Sequence, residues 1–207
     1  MQLDIRLPLQ TRSKESWERV LDSGAQLIAE YGYEGFTIAA VCERAGVAPR
    51  FIYDRVNDKE TLFLAAYDRG MQQVVAEQDV LAETSKMTKL SPQKMVEFAV
   101  HEIGQRFTLH HDFLRNVVLI SSSNMRIAQR GARAKQGFSD QFVAALMPIK
   151  SKITDKKPED ALELCFDLVF SAWIVRTAYG REFSSPKLTD DQFDKNLQKL
   201  AAKFLLD

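Results

Sequence analysis

Apolar residues recur at three- and four-residue intervals along almost the whole chain, which is the period of an α-helix packed on one side. Few stretches show the alternation expected of strands. A first helix is predicted from about Ser13 to Tyr31, with Trp17, Val20, Leu21, Leu27, Ile28 and Tyr31 on its buried stripe and Gly32 ending it. Thr37 is suited to cap a short second helix, Ile38 to Ala45, which Gly46 stops. Pro49 fits the first position of a third helix, where a missing N–H costs nothing, and the pattern carries that helix to about Val56.

A long fourth helix begins near Asn57 and Glu60, which stand at capping-box spacing, and continues through Val75. Residues Ser85 to Ser91 read as a loop, and Pro92 opens a fifth helix. A break at His110-His111-Asp112 precedes helical segments from Phe113 to Ile120 and from Met125 to Met147. Pro148 to Pro158 is polar and reads as a loop. An apolar helix from Glu159 to Phe183 and a last helix from Thr189 complete the chain, the latter with Phe193, Leu197, Leu200 and Phe204 as one stripe. The sum is an all-α fold of about nine helices.

Two short helices joined by Gly46-Val47-Ala48 have the spacing of a helix-turn-helix. In that motif the second helix reads base edges in the major groove. Val41, Ala45, Val47 and Ile52 would hold the two helices together, while Arg50, Asp54 and Arg55 would project outward.

Charge does not advertise such a role. The chain balances 28 basic against 28 acidic residues. Residues 1–60 hold eight basic and ten acidic side chains, a net charge of −2. DNA binding must therefore come from local placement of cations and helix N-termini. No apolar run approaches the roughly 20 residues that span a bilayer. The start of the chain lacks a signal-peptide pattern, and Cys42 and Cys165 sit far apart in apolar helices. A reducing cytoplasm and no membrane association are expected.

The stretch from Thr37 through Tyr53, with Ala29 to Phe36 before it and Asp58-Lys59-Glu60-Thr61-Leu62-Phe63 after it, resembles the head of the TetR/AcrR transcriptional regulators. The resemblance covers about the first third of the chain. It implies a three-helix DNA-binding head in residues 1–60 and a larger effector-binding and dimerisation body in 61–207. It also implies a set of DNA-contacting residues: Thr37, Pro49, Arg50, Phe51, Tyr53, Asp54, Arg55 and Lys59. Thr37, Tyr53 and Lys59 would meet phosphates, and Arg50 would meet guanine. Ala48 stands where the family usually has Ser or Thr, and Arg50, Val56 and Cys42 replace a common Gly, Phe and Ala.

The implied function is a repressor, not an enzyme, with no cofactor, metal or catalytic group. It would hold a palindromic double-stranded operator as a homodimer through its last two helices, and a small molecule would release it. Polar residues within apolar helices suggest a pocket around His101, Gln105, Met125, Gln129, Phe166, Phe170 and Trp173. Two other readings compete: a small-molecule or lipid binder that keeps the fold without reading DNA, and a metal-dependent phosphohydrolase of the HD type, suggested by His111-Asp112. The latter lacks further histidines at suitable spacing, since only His101 and His110 remain.

Overall fold

A computed structural model describes residues 3–8, 10–76 and 89–207. Among them are nine α-helices and no strand: α1 (Thr11–Gly35), α2 (Ile38–Ala45), α3 (Pro49–Tyr53), α4 (Lys59–Ala76), α5 (Pro92–Leu109), α6 (His111–Ser121), α7 (Met125–Leu146), α8 (Pro158–Tyr179) and α9 (Asp190–Leu206). The loop expected at Ser85 to Ser91 falls mostly outside the described residues.

Local signals set most helix ends. Gly32 breaks α1 at φ 63°, ψ −157°, a backbone region open essentially only to glycine. Gly46 closes α2 in the left-handed conformation, and Thr37 caps its start by accepting from the Ala40 N–H at 3.1 Å. The cap of α4 is Asp58, not Asn57: its carboxylate accepts from the Thr61 N–H at 2.7 Å, while Asn57 instead donates to Asp4. Helix α3 ends at Tyr53, before the expected Val56, because the Arg55 N–H turns back to the Ile52 carbonyl. Gly180, at φ 81°, ends α8 at Tyr179, short of Phe183. The predicted loop after Met147 begins instead with a 3₁₀ turn, Met147–Lys152, whose Ile149 is buried.

Packing divides the chain into two compact units, and neither is continuous in sequence. The first joins residues up to 74 with 112–128; the second joins 75–111 with 129–207.

The first unit centres on Phe36 and Phe63, which meet edge to face, with Tyr33 against the other side of Phe63. Val20, Ile28, Val41, Ile52 and Leu62 close around them. Helices α1 and α4 approach closely at Gly24, where a Cβ would lie 2.6 Å from that of Ala66. Tyr31, expected in the buried stripe, is exposed. Arg69 on α4 binds Glu18 and Asp22 on α1 at 2.8 and 2.7 Å. Helix α6 contributes Phe113, packed where Gly70 of α4 has no side chain.

The second unit is built on α5, α8 and α9. Phe142, Phe166, Phe170, Phe107, Trp173 and Phe193 form a continuous run of ring contacts. Arg176 is buried and closes the α8–α9 connection, binding Asp190 and donating to the carbonyls of Ser184 and Leu188. On α9 the buried positions are Phe193, Asp194, Leu197, Ala201, Ala202 and Leu205; Leu200 and Phe204, expected on that stripe, face outward.

Candidate nucleic-acid interface and candidate effector site

The eight residues expected at DNA all lie in the first unit: Thr37 caps α2, Pro49, Arg50, Phe51 and Tyr53 are on α3, Asp54 and Arg55 follow it, and Lys59 opens α4. Helix α3 is anchored by Ile52, which is fully buried, and this fixes which side of the helix looks outward. Pro49 and Arg50 are exposed at its start, and Tyr53 is 55% exposed at its end. The side chains of Arg50 and Tyr53 make no hydrogen bond or ion pair among the described residues, so their polar ends are available. Thr37 and Asp54 are also exposed.

The two remaining cations are engaged. The Arg55 guanidinium stacks 3.6 Å from the centre of the Phe51 ring and donates to the Phe51 carbonyl at 2.5 Å. Lys59 donates to the Tyr33 carbonyl at 3.0 Å and lies over the Tyr33 ring. These contacts hold both cations beside the ends of α3 and α4, with the Phe51 ring under the Arg55 guanidinium.

The surrounding charges support the scaffold. Arg44 of α2 grips Glu30 of α1 with two parallel bonds at 2.6 and 2.7 Å, holding the Glu30 carboxyl below its ordinary range. The backbone N–H of Thr61 does the same for Asp58. Ala48 precedes α3 without any side-chain cap.

The seven residues expected in an effector pocket fall into separate surroundings. Phe166 and Trp173 are buried in the aromatic run, with Phe170 half-buried beside them, and the Trp173 indole N–H has no hydrogen-bond partner among the described residues. His101 bonds Asp194 through Nδ1 at 2.6 Å and Gln105 through Nε2 at 3.0 Å. Gln198 donates to the same Asp194 oxygen at 2.7 Å. This cluster borders an open groove of about 540 Å³ lined by Leu90, Lys94, Phe98, His101, Asp191 and Lys195, among others. Gln129 is exposed, and Met125, also exposed, belongs to the first unit. Asp194 and Gln198 were not legible as partners of His101, since they lie more than 90 residues away on another helix.

His111 and Asp112, the pair that suggested a hydrolase, are exposed at the start of α6. Among the described residues no three His, Cys, Asp or Glu side chains gather as a metal site.

A buried-anchor helix with outward Arg and Tyr, framed by a capped α2 and the start of α4, has the arrangement of the helix-turn-helix found in DNA-binding regulators. Comparison with known proteins agrees. Residues 20–66 match the family model of bacterial regulatory proteins of the tetR family. The chain is 25% identical over 167 residues to the HTH-type transcriptional repressor Rv1474c of Mycobacterium tuberculosis, covering 79% of this chain and 83% of that protein. Its fold is that of a TetR transcription regulator from Haloarcula marismortui (TM-score 0.71, 13% identity, 93% and 99% of the two chains). It is also that of the regulator FadR from Bacillus subtilis, solved with stearoyl-CoA (TM-score 0.67, 16% identity, 91% and 99% covered). The head of the chain, residues 20–66, is thus similar to that of the bacterial tetR-family regulators, and the fold resembles theirs over nearly its whole length.

Proposed function

We propose that this regulator is a repressor that holds a palindromic double-stranded operator as a homodimer and lets go when a small molecule binds its body. The observation that carries the DNA-reading part is α3 itself: buried Ile52 on one side, exposed Arg50 and Tyr53 on the other, with Thr37 and Lys59 at its flanks. In this reading Arg50 meets a base edge, with Pro49 and Asp54 beside it, and Thr37, Tyr53 and Lys59 meet phosphates. Arg55 and Phe51 shape the end of the reading helix. Residues 1–60 supply the contacts, and 61–207 supply sensing and pairing.

Helix α8 supports the homodimer. Leu164, Leu168 and Tyr179 are exposed on it, beside the charged side chains of Glu163 and Asp167. Exposed leucines recurring four residues apart form an apolar strip that a second copy can cover. Leu200 and Phe204 of α9 add exposed apolar area. Two copies paired through α8 and α9 would bury these residues and present two reading helices about 34–36 Å apart, one DNA turn. The aromatic run around Trp173, with its unpartnered indole N–H and the nearby polar cluster at His101, supports an apolar effector with a polar end. FadR from Bacillus subtilis, similar in fold, was solved in complex with stearoyl-CoA, which supports this reading. An effector acts only through its difference in affinity for the two states of the protein. In this reading the protein works on the chromosome, in the cytoplasm.

The test is selection of the full-length protein against a random-sequence duplex library. Enrichment of a two-fold symmetric sequence is the expected result. Tyr53→Phe should weaken binding to the selected duplex, and Arg50→Ala should relax its sequence preference by about 1–3 kcal/mol at one position. Failure to enrich any sequence at low salt would overturn the proposal. A monomer in sedimentation at micromolar concentration would overturn its dimeric part.

A further inference from the structure

Half of the basic side chains in the head are engaged by protein partners. Of the eight basic side chains within residues 1–60, Arg44 is held by Glu30, Arg55 by Phe51, Lys59 by Tyr33, and Arg19 by Ser16. Arg6, Arg12, Lys14 and Arg50 make no side-chain hydrogen bond, ion pair or ring contact among the described residues. Arg50 belongs to the reading helix. Arg6 belongs to no helix, yet it is fixed in place.

The Arg6 N–H donates to the Arg55 carbonyl at 3.1 Å, and the Asp4 carboxylate accepts from Asn57 at 3.3 Å. Residues 4 and 6 therefore lie along the link from α3 to α4, the stretch bounded by Tyr53 and Lys59. Residues 3–6 alternate in exposure, Leu3 and Ile5 half-buried and Asp4 and Arg6 exposed, before Leu7, which is exposed. Such alternation turns the apolar side chains onto the protein and the charged ones away from it. Asp4, the nearest acid in sequence, is occupied by Asn57 and leaves the Arg6 guanidinium uncompensated.

We propose that the N-terminal segment is a docked arm and that Arg6 binds a phosphate of the operator strand that passes the end of the reading helix. This rests on the conclusion that α3 reads DNA. A guanidinium gives paired donors in a planar fork that fits phosphate oxygens. Its position beside the α3–α4 link adds a cation to the flank of the interface, where the Arg55 guanidinium is already stacked on Phe51. The backbone bond that holds the arm is made by residue 6 whatever its side chain, so the charge can be removed without releasing the segment.

The experiment measures affinity of the full-length protein for the duplex it selects, by anisotropy at several salt concentrations, with Arg6→Ala, Arg6→Lys and Arg50→Ala beside the unsubstituted protein. Arg6→Ala should bind about fivefold more weakly near physiological salt, with the slope of log K against log salt shallower by about 0.9 for each protomer bound. Arg6→Lys should keep the slope. Thermal melting of Arg6→Ala should match that of the unsubstituted protein. An Arg6→Ala protein with unchanged affinity and slope, or with weaker binding at an unchanged slope, overturns the arm contact. If Arg50→Ala alone disturbs binding, the reading helix stands and only the arm fails. If the unsubstituted protein binds no duplex even at low salt, the DNA-reading conclusion falls and the arm contact falls with it.

Discussion

Asn116 of α6 donates through its side-chain amide to two successive carbonyls of α1, those of Ile28 and Ala29, at 2.9 and 2.8 Å. The two carbonyls lie in the turn that leads to the break at Gly32, where a helix runs out of partners for its own C=O groups. A second tie sits nearby in the same unit: Arg126, at the start of α7, lies 3.2 Å from Glu60 in the first turn of α4. The reading head is thus held at both α1 and α4 by residues more than 50 positions further along the chain.

Asn116→Ala should lower the stability of the first unit by about 1–2 kcal/mol, because two partly buried carbonyls lose their donor. Arg126→Ala should cost less than about 1 kcal/mol, since that pair is partly exposed. Urea unfolding followed through Trp17, in a Trp173→Phe background, reads this unit alone. Equal costs for the two variants would count against this ranking.

Ala48 precedes α3 with extended backbone and no capping group. Ala48→Ser would place a hydroxyl where it accepts from the N–H of Phe51 or Arg50. The expected gain is about 0.5–1 kcal/mol, seen as a rise in melting temperature of a few degrees. An unchanged or lower melting temperature would show that the α3 start is already satisfied.

Arg176 is 3% exposed and makes one carboxylate and two carbonyl contacts in different directions. Only a planar fork reaches all three. Arg176→Lys should keep the charge but lose most of the geometry, and Arg176→Met should leave two carbonyls without a donor. Both should destabilise the second unit by about 2–4 kcal/mol in chemical denaturation. A Lys variant as stable as the original would show that charge, not direction, matters there.

Cys165 is enclosed by α8 packing, and burial pushes its thiol up to about 12, from an ordinary value of 9.0. The folded chain therefore keeps the proton over a range in which the unfolded chain releases it. This contribution to stability is complete below about pH 9 and is lost as pH rises toward 12. At pH 8 the thiol should resist alkylation in the folded protein and react on unfolding. Cys165→Ala should flatten the fall of melting temperature with rising pH above 9. Fast labelling of Cys165 at pH 8 without denaturant would contradict its placement.

Much of the head was legible because its signals are local. Thr37, Gly46 and Pro49 set the bounds of α2 and the start of α3 from within a few residues, and the structure keeps all three roles. Errors arose where two local signals competed. Asn57 and Asp58 are both capping residues, and the contact with Asp4 decides between them. Gly180 was outweighed by the apolar residues on either side of it. On α9 the period was right but the phase was not: small Ala201 faces the core while Leu200 and Phe204 face out. The pairs that tie helices together, His101 with Asp194 and Asn116 with Ile28, join distant positions and leave no trace in periodicity. For the same reason the committed state of Arg55 and Lys59 could not be read from their charge.

The first unit is closed by chain that returns to it after a long excursion, and this limits how the protein can be recombined. A reader cut out at a single point would leave α4 with a bare notch at Gly70 and α1 without the amide of Asn116. Grafting this specificity onto a different sensor therefore needs two junctions, with residues 112–128 travelling alongside the N-terminal helices. A chimera made with one junction would inherit the reading side chains and lose the brace that keeps them in position.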